Sequence, residues 1–118
     1  LTLYDRHLTV IRQANGVIEF DFLVLCSPPR SQNDYLAIAE QYHTIIVRNV
    51  PQIKSTQTNH AILFINLIDV LYDHRIRVIM SAAVPIESLY PTGKVAFEFE
   101  RTQSRLIEMN SPDYFAQK

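Results

Sequence analysis

Two short runs of β-branched and aliphatic residues, 44–50 (Thr-Ile-Ile-Val-Arg-Asn-Val) and 76–80 (Ile-Arg-Val-Ile-Met), bracket a segment of helical length at 59–74. A strand buried on both faces reads as a near-continuous apolar run, because neither side of its pleat meets water. Short apolar strands on either side of a helix predict a βαβ unit with parallel strands and a right-handed crossover. Pro51 closes the first run, since proline cannot donate to a strand ladder.

The intervening helix carries a polar stripe. Asn59, Asn66, Asp69 and Asp73 fall close together on a helical wheel, and Phe64, Ile65, Leu67, Ile68, Leu71 and Tyr72 fill the wide remainder, enough to bury against a sheet. Leu63 falls between Asn59 and Asn66 on the expected wet side, and Ile62 borders it. They read either as ordinary exposed aliphatics or as a contact with a further domain or partner.

Upstream, residues 1–22 alternate. Leu8, Val10 and Arg12 fall on one side, and Thr9, Ile11 and Gln13 on the other. Asn15-Gly16 is a strong hairpin-turn signal. Ile18, Phe20 and Phe22 then share a face opposite Glu19 and Asp21, so a β-hairpin or small meander with one wet face is expected. Ser27-Pro28-Pro29 interrupts the chain. Ser31 or Asn33 can cap a helix over about 33–42, whose packing stripe is Tyr35, Ile38, Ala39 and Tyr42. Downstream, Pro85 can open a short helix through Tyr90, and Pro91-Thr92-Gly93 turns the chain. Phe97-Glu98-Phe99 alternates as an extended segment would. A last helix is expected from Thr102 or Gln103 to about Asn110, ended by Ser111-Pro112, with a tail at 113–118 that should fray. The expected fold class is therefore α/β: a β-hairpin region over 1–25, then an α/β part over 26–118 with a helix, a βαβ unit and a C-terminal helix.

The composition narrows the chemistry. The net charge of −1 offers no basic field for nucleic acid. No apolar run approaches the ~20 residues needed to span a bilayer. Cys26 stands alone, which suits a reducing compartment. The histidines, His7, His43, His60 and His74, lie in separate segments without ligand spacing, so no metal site is expected. A Cys-His nucleophile pair has no local signature. Glu98 with Glu100, and Asp69 with Asp73, read as solvated pairs. With two glycines, Gly16 and Gly93, a glycine-rich phosphate loop does not fit, and Gly93-Lys94 is followed by Val95. Hydrolysis of a nucleotide by these residues alone is not expected. Arg101 and Arg105, four apart on a helix, can share a face. They read either as salt-bridge partners of Glu100 and Glu108 or as guanidinium groups that meet a phosphate.

Five runs carry a resemblance: Phe20-Asp-Phe-Leu-Val-Leu-Cys26, Pro29-Arg-Ser-Gln-Asn-Asp-Tyr35, Leu67-Ile-Asp-Val-Leu-Tyr-Asp73, Ser81-Ala-Ala-Val-Pro85 and Phe97-Glu-Phe-Glu-Arg-Thr-Gln-Ser-Arg-Leu-Ile-Glu-Met109. In this order, over about 20–114, the chain resembles the C-terminal part of the ZapE-like (AFG-type) P-loop ATPases. The resemblance implies an AAA-like ATPase whose Walker motifs, with ATP and magnesium, lie upstream of Leu1. The start at Leu1, without a Met or targeting segment, fits a fragment of such a protein. The implied partners are the upstream ATPase domain, neighbouring subunits, and division-ring or quality-control substrates. The implied location is the cytoplasm, peripheral to the bacterial inner membrane, or the mitochondrion in a eukaryote. The resemblance makes Arg101 and Arg105 candidates for sensing the γ-phosphate, and Ser81 a weaker candidate for a polar residue at a strand end, with a structural cap as its alternative. The sequence departs from the family's pattern at Ile62 and Leu63, where two arginines are usual, and at Asn110, where glutamine is usual. The reading from another class is a self-contained interaction module without catalytic duty.

Overall fold

The computed structural model describes residues 1–3 and 6–110. At the N-terminus, β1 (Thr2–Leu3) and β2 (Arg6–His7) pair antiparallel as a small separate ribbon. The main sheet has four strands in the order β3 (Arg12–Ala14), β4 (Val17–Asp21), β5 (Thr44–Val50) and β6 (Arg77–Ala82). β3 and β4 form an antiparallel hairpin, while β4–β5 and β5–β6 are parallel. The expected βαβ unit is present, and the hairpin's second strand joins the same sheet.

The Asn15-Gly16 turn makes the hairpin. Both residues have positive φ, 53° and 82°, as a two-residue turn matching the strand twist demands. A Cβ on Gly16 would sit 2.5 Å from the His43 ring. That ring is fixed from two sides: Nε2 donates to the Asn15 carbonyl at 3.1 Å and Nδ1 accepts from the Thr44 hydroxyl at 2.8 Å. The turn is thereby tied to the start of β5.

β4 ends at Asp21, not beyond Phe22. Asp21 caps a one-turn helix, α1 (Phe22–Leu25), accepting from the Leu23 N–H at 3.1 Å. Phe22 is still buried, but from a helix. α2 (Gln32–Gln41) starts at Ser31, whose N–H donates to the Asp34 carboxylate at 2.9 Å. The Tyr35 hydroxyl donates to the Leu25 carbonyl at 2.5 Å and clamps α2 on α1. α3 (Thr58–Asp73) crosses from β5 to β6. A 3-10 turn, Ile86–Ser88, stands where the sequence suggested a short helix after Pro85.

α4 (Ala96–Met109) corrects one expectation. Phe97-Glu98-Phe99 is helical, not extended, and Glu98 and Glu100 do not share a side. Phe99, Thr102, Leu106 and Met109 form the buried stripe, a helical spacing that extends upstream of Thr102. Phe99 stacks on Phe64 at 5.8 Å and meets Tyr90 at 5.3 Å.

α3 packs against both α2 and α4. Its Phe64, Leu67, Ile68 and Leu71 join Ile18, Phe20, Ile45 and Val47 of the sheet in one core. With a helix on each flank and a sheet beneath, α3 is buried over more than one face. This overturns the placement of Leu63 on the wet side: it is 9 % exposed, covered by its own chain, whereas Ile62 is 39 % exposed. The expected fraying of 113–118 and the Ser111-Pro112 stop lie outside the described residues.

Candidate functional site

The carboxyl ends of the three parallel strands converge on one polar rim. Asp21 ends β4, Asn49 lies one residue before the end of β5, and Ser81 lies one before the end of β6. Asn49 takes a left-handed conformation, φ 61°, which asparagine tolerates better than most residues. Its Nδ2 donates to Asp21 Oδ1 at 2.7 Å, and its backbone N–H donates to Ser81 Oγ at 2.9 Å. One residue thus ties three strand ends together. The β5–β6 ladder shifts register between Val47 and Val50, and a depression of about 310 Å³ opens there, lined by Asn49, Val50, Pro51, Ser81, Ala82 and Ala83. In open α/β sheets this carboxyl edge is where ligands enter. Sequence reasoning named Ser81 and missed its partners. The signal was an asparagine inside a β-branched run next to a proline.

Arg101 and Arg105 come together elsewhere, across α3. Both pair with Asp69: Arg101 Nη2 lies 3.3 Å from Oδ2, and Arg105 Nη1 binds Oδ1. Arg105 also lies over the Tyr72 ring, 4.8 Å from its centre, and the Tyr72 hydroxyl donates to Glu108. That hydrogen bond, then burial, raises the Tyr72 phenol's pKa. The two arginines differ in freedom, since the Arg105 side chain is 24 % exposed and that of Arg101 60 %. Asp69, placed on the wet stripe from sequence, is therefore their shared acceptor. Ser81 has no part in this cluster.

A third polar centre was unexpected. Glu19, assigned to a wet face by alternation, is buried between Arg12 and Arg48 of the strands on either side. Burial pushes its carboxyl pKa up. The hydrogen bonds and charges of Arg12 and Arg48 outweigh that and hold it below the ordinary glutamate value.

Cys26 is buried and its thiol pKa is pushed far up by burial, so it carries little thiolate at neutral pH. His60 Nδ1 donates to the Cys26 carbonyl at 2.7 Å and does not face the sulfur as a base would. Among the described residues, no three His, Cys, Asp or Glu side chains come together as a metal would require.

The family model of the AFG1-like ATPases matches residues 1–118. The chain belongs to the AFG1-like ATPase family. It is 34 % identical over 114 residues to the cell division protein ZapE of Escherichia coli, which covers 97 % of this chain and 30 % of ZapE. It is 34 % identical over 113 residues to lactation elevated protein 1 homolog B of Danio rerio, covering 96 % of this chain and 22 % of that protein. An uncharacterized protein of Schizosaccharomyces pombe is 36 % identical over 91 residues, with 77 % and 20 % covered. The chain thus spans less than a third of the length of these relatives. No solved structure matches it. No helix among the described residues is long and apolar enough to cross a membrane.

An AFG1-like ATPase implies ATP and magnesium. Among the described residues, neither glycine offers a loop for phosphate. Gly16 belongs to the hairpin turn and Gly93 lies against the Tyr90 ring, and Asp21, the carboxylate at the end of β4, already accepts from Asn49 Nδ2 and the Leu23 N–H.

Proposed function

We propose that this chain is the C-terminal part of a longer AFG1-like ATPase that couples ATP hydrolysis to bacterial cell division or protein quality control. In this reading it acts in the cytoplasm, at the inner membrane or in the mitochondrion, with ATP and magnesium held upstream. It completes the machine and offers Arg101, with Arg105 behind it, to nucleotide phosphate or to a neighbouring subunit. One observation carries the assignment of roles: Asp69 binds both guanidinium groups, but Arg105 is largely covered and lies over the Tyr72 ring, while Arg101 stays mostly in solvent. Such a group is oriented yet able to leave for a phosphate, and a guanidinium fork matches a phosphoryl group. Arg105, wedged between Asp69 and Tyr72, fixes the geometry. Ser81 braces Asn49 at the strand ends instead of touching cofactor.

The test uses the full-length ATPase. Arg101→Ala should lower ATP turnover by at least about tenfold, the scale of arginine effects on phosphoryl transfer, and should shift stability by no more than about 0.5 kcal/mol. Arg105→Ala should destabilise by about 1–2 kcal/mol, since it loses a half-buried ion pair and a ring contact. Unchanged turnover in both variants favours the non-catalytic interaction module, a reading that gains from the fact that Asp69 already engages both guanidinium groups.

A further inference from the structure

Among the described residues, the four-stranded sheet is covered by helices on one side only. Ladder partners share a face, so Ile18, Ile45 and Val78 lie together, as do Phe20, Val47 and Met80. These turn toward the helical layer, where Ile18, Ile45, Phe20 and Val47 are fully buried. Both parallel crossovers step across the sheet in the same direction, and right-handed connections therefore place their helices on the same side. The opposite face carries Val17, Glu19, Ile46 and Ile79, with Arg12, Arg48 and Arg77 around them. Ile79 is 48 % exposed. Beside it, a groove of about 220 Å³ runs over Val17, Glu19 and Ile46 to Arg12 and Ala14.

We infer that this open sheet face is the surface on which the remaining part of the same polypeptide packs. The inference rests on the reading that the chain belongs to a longer ATPase. Three observations support it. Parallel sheets occur almost only with both faces covered, and the parallel strands here keep aliphatic residues, Ile46 and Ile79, on the bare side. ZapE and the Danio rerio relative each extend far beyond the matched region, which is 30 % and 22 % of their lengths, so a covering layer has a source within one chain. The charge pattern defines its chemistry. Among the described residues, Arg12 and Arg48 share one carboxylate, Glu19, buried beneath them. A segment that fits presents aliphatic side chains to Val17, Ile46 and Ile79 and carboxylates at its rim. Ile62, on the far side of the helical layer, is not part of this surface.

The experiment introduces Ile79→Cys, and separately Ile46→Cys, into the full-length protein. Thiol alkylation at the introduced position is followed by mass spectrometry, native and in urea. A covered thiol should label at least about tenfold slower in the native state, since it must wait for a local opening, and the protection should not change with protein concentration. Native labelling within a factor of about two of the urea rate, at Ile79→Cys or at an Ile46→Cys variant that melts like the parent, overturns the inference. Protection that disappears on dilution overturns it as well, because the cover would then be a second copy. ATP turnover in the same preparations separates the two claims: protection without turnover removes the ATPase reading and keeps the surface, and turnover without protection does the reverse.

Discussion

Glu19 is the residue at which the folded chain departs most from its sequence pattern. Alternation along β4 puts Glu19 opposite Ile18 and Phe20, where water is expected. β3 contributes Arg12, the direct register partner of Glu19, and β5 contributes Arg48, two residues beyond the level of Glu19 on the same face; the two side chains lie over the carboxylate and exclude water from it. Arg12 is seven residues from Glu19 within the hairpin, but Arg48 is 29 residues away, so no short window of the sequence contains the whole cluster. Its consequence is a pH dependence with a definite sign. A carboxyl group whose pKa is lower in the folded than in the unfolded chain binds its proton more readily when unfolded, so acid favours unfolding. The stabilisation is complete above the unfolded-chain value, declines as the pH falls below it, and is gone below the folded-state value. Thermal melts between neutral and strongly acidic pH should therefore show a shallower acid loss in Glu19→Gln than in the parent. Parallel curves would mean that the pair of arginines does not hold the charge.

At the scale of elements, β5, α3 and β6 were legible because their signals are redundant: β-branched runs, a proline stop and a long amphipathic segment agree. The Asn15-Gly16 turn was legible for a steric reason, positive φ at two successive residues. The start of α4 was not. Phe97-Glu98-Phe99-Glu100 alternates with period two, but only Phe99 is buried and Phe97 is exposed, so the helical stripe from Phe99 to Met109 outweighs the local alternation. Leu63 was misplaced for a related reason, since a wheel assumes one buried face and α3 has helices on both flanks. At the candidate site Ser81 was visible as a strand-end polar residue, whereas the Asn49 bridge needed the sheet to exist before it had partners. The hairpin supplies a prediction at this scale. Gly16→Ala keeps a strained backbone conformation and forces a Cβ to within 2.5 Å of the His43 ring. It should cost about 1–3 kcal/mol, measured by urea denaturation. A loss below about 0.5 kcal/mol would show that the ring swings away and that the turn is not tied to β5.

For the whole molecule, the question is whether hairpin, helical layer and last helix unfold as one body. The core runs without a break from Ile18 and Phe20 of the hairpin strand through Phe64 to Phe99 and Met109 of α4. Phe64 lies at its junction, near Phe22 of α1 at 6.0 Å and stacked on Phe99 of α4 at 5.8 Å. Removing that ring takes contacts from elements at both ends of the sequence at once. Phe64→Ala should cost about 3–5 kcal/mol, as for other fully buried rings. For a small domain of marginal stability this is a large part of the total. If the core is one cooperative unit, helical circular dichroism and a near-ultraviolet tyrosine signal should melt together in the variant, at a lower midpoint. Separate transitions, with the tyrosine signal lost first, would instead make α4 a detachable layer. The Asp69–Arg101–Arg105 cluster at the α3–α4 contact would then open with it, and the placement of Arg101 would depend on whatever else holds α4 down.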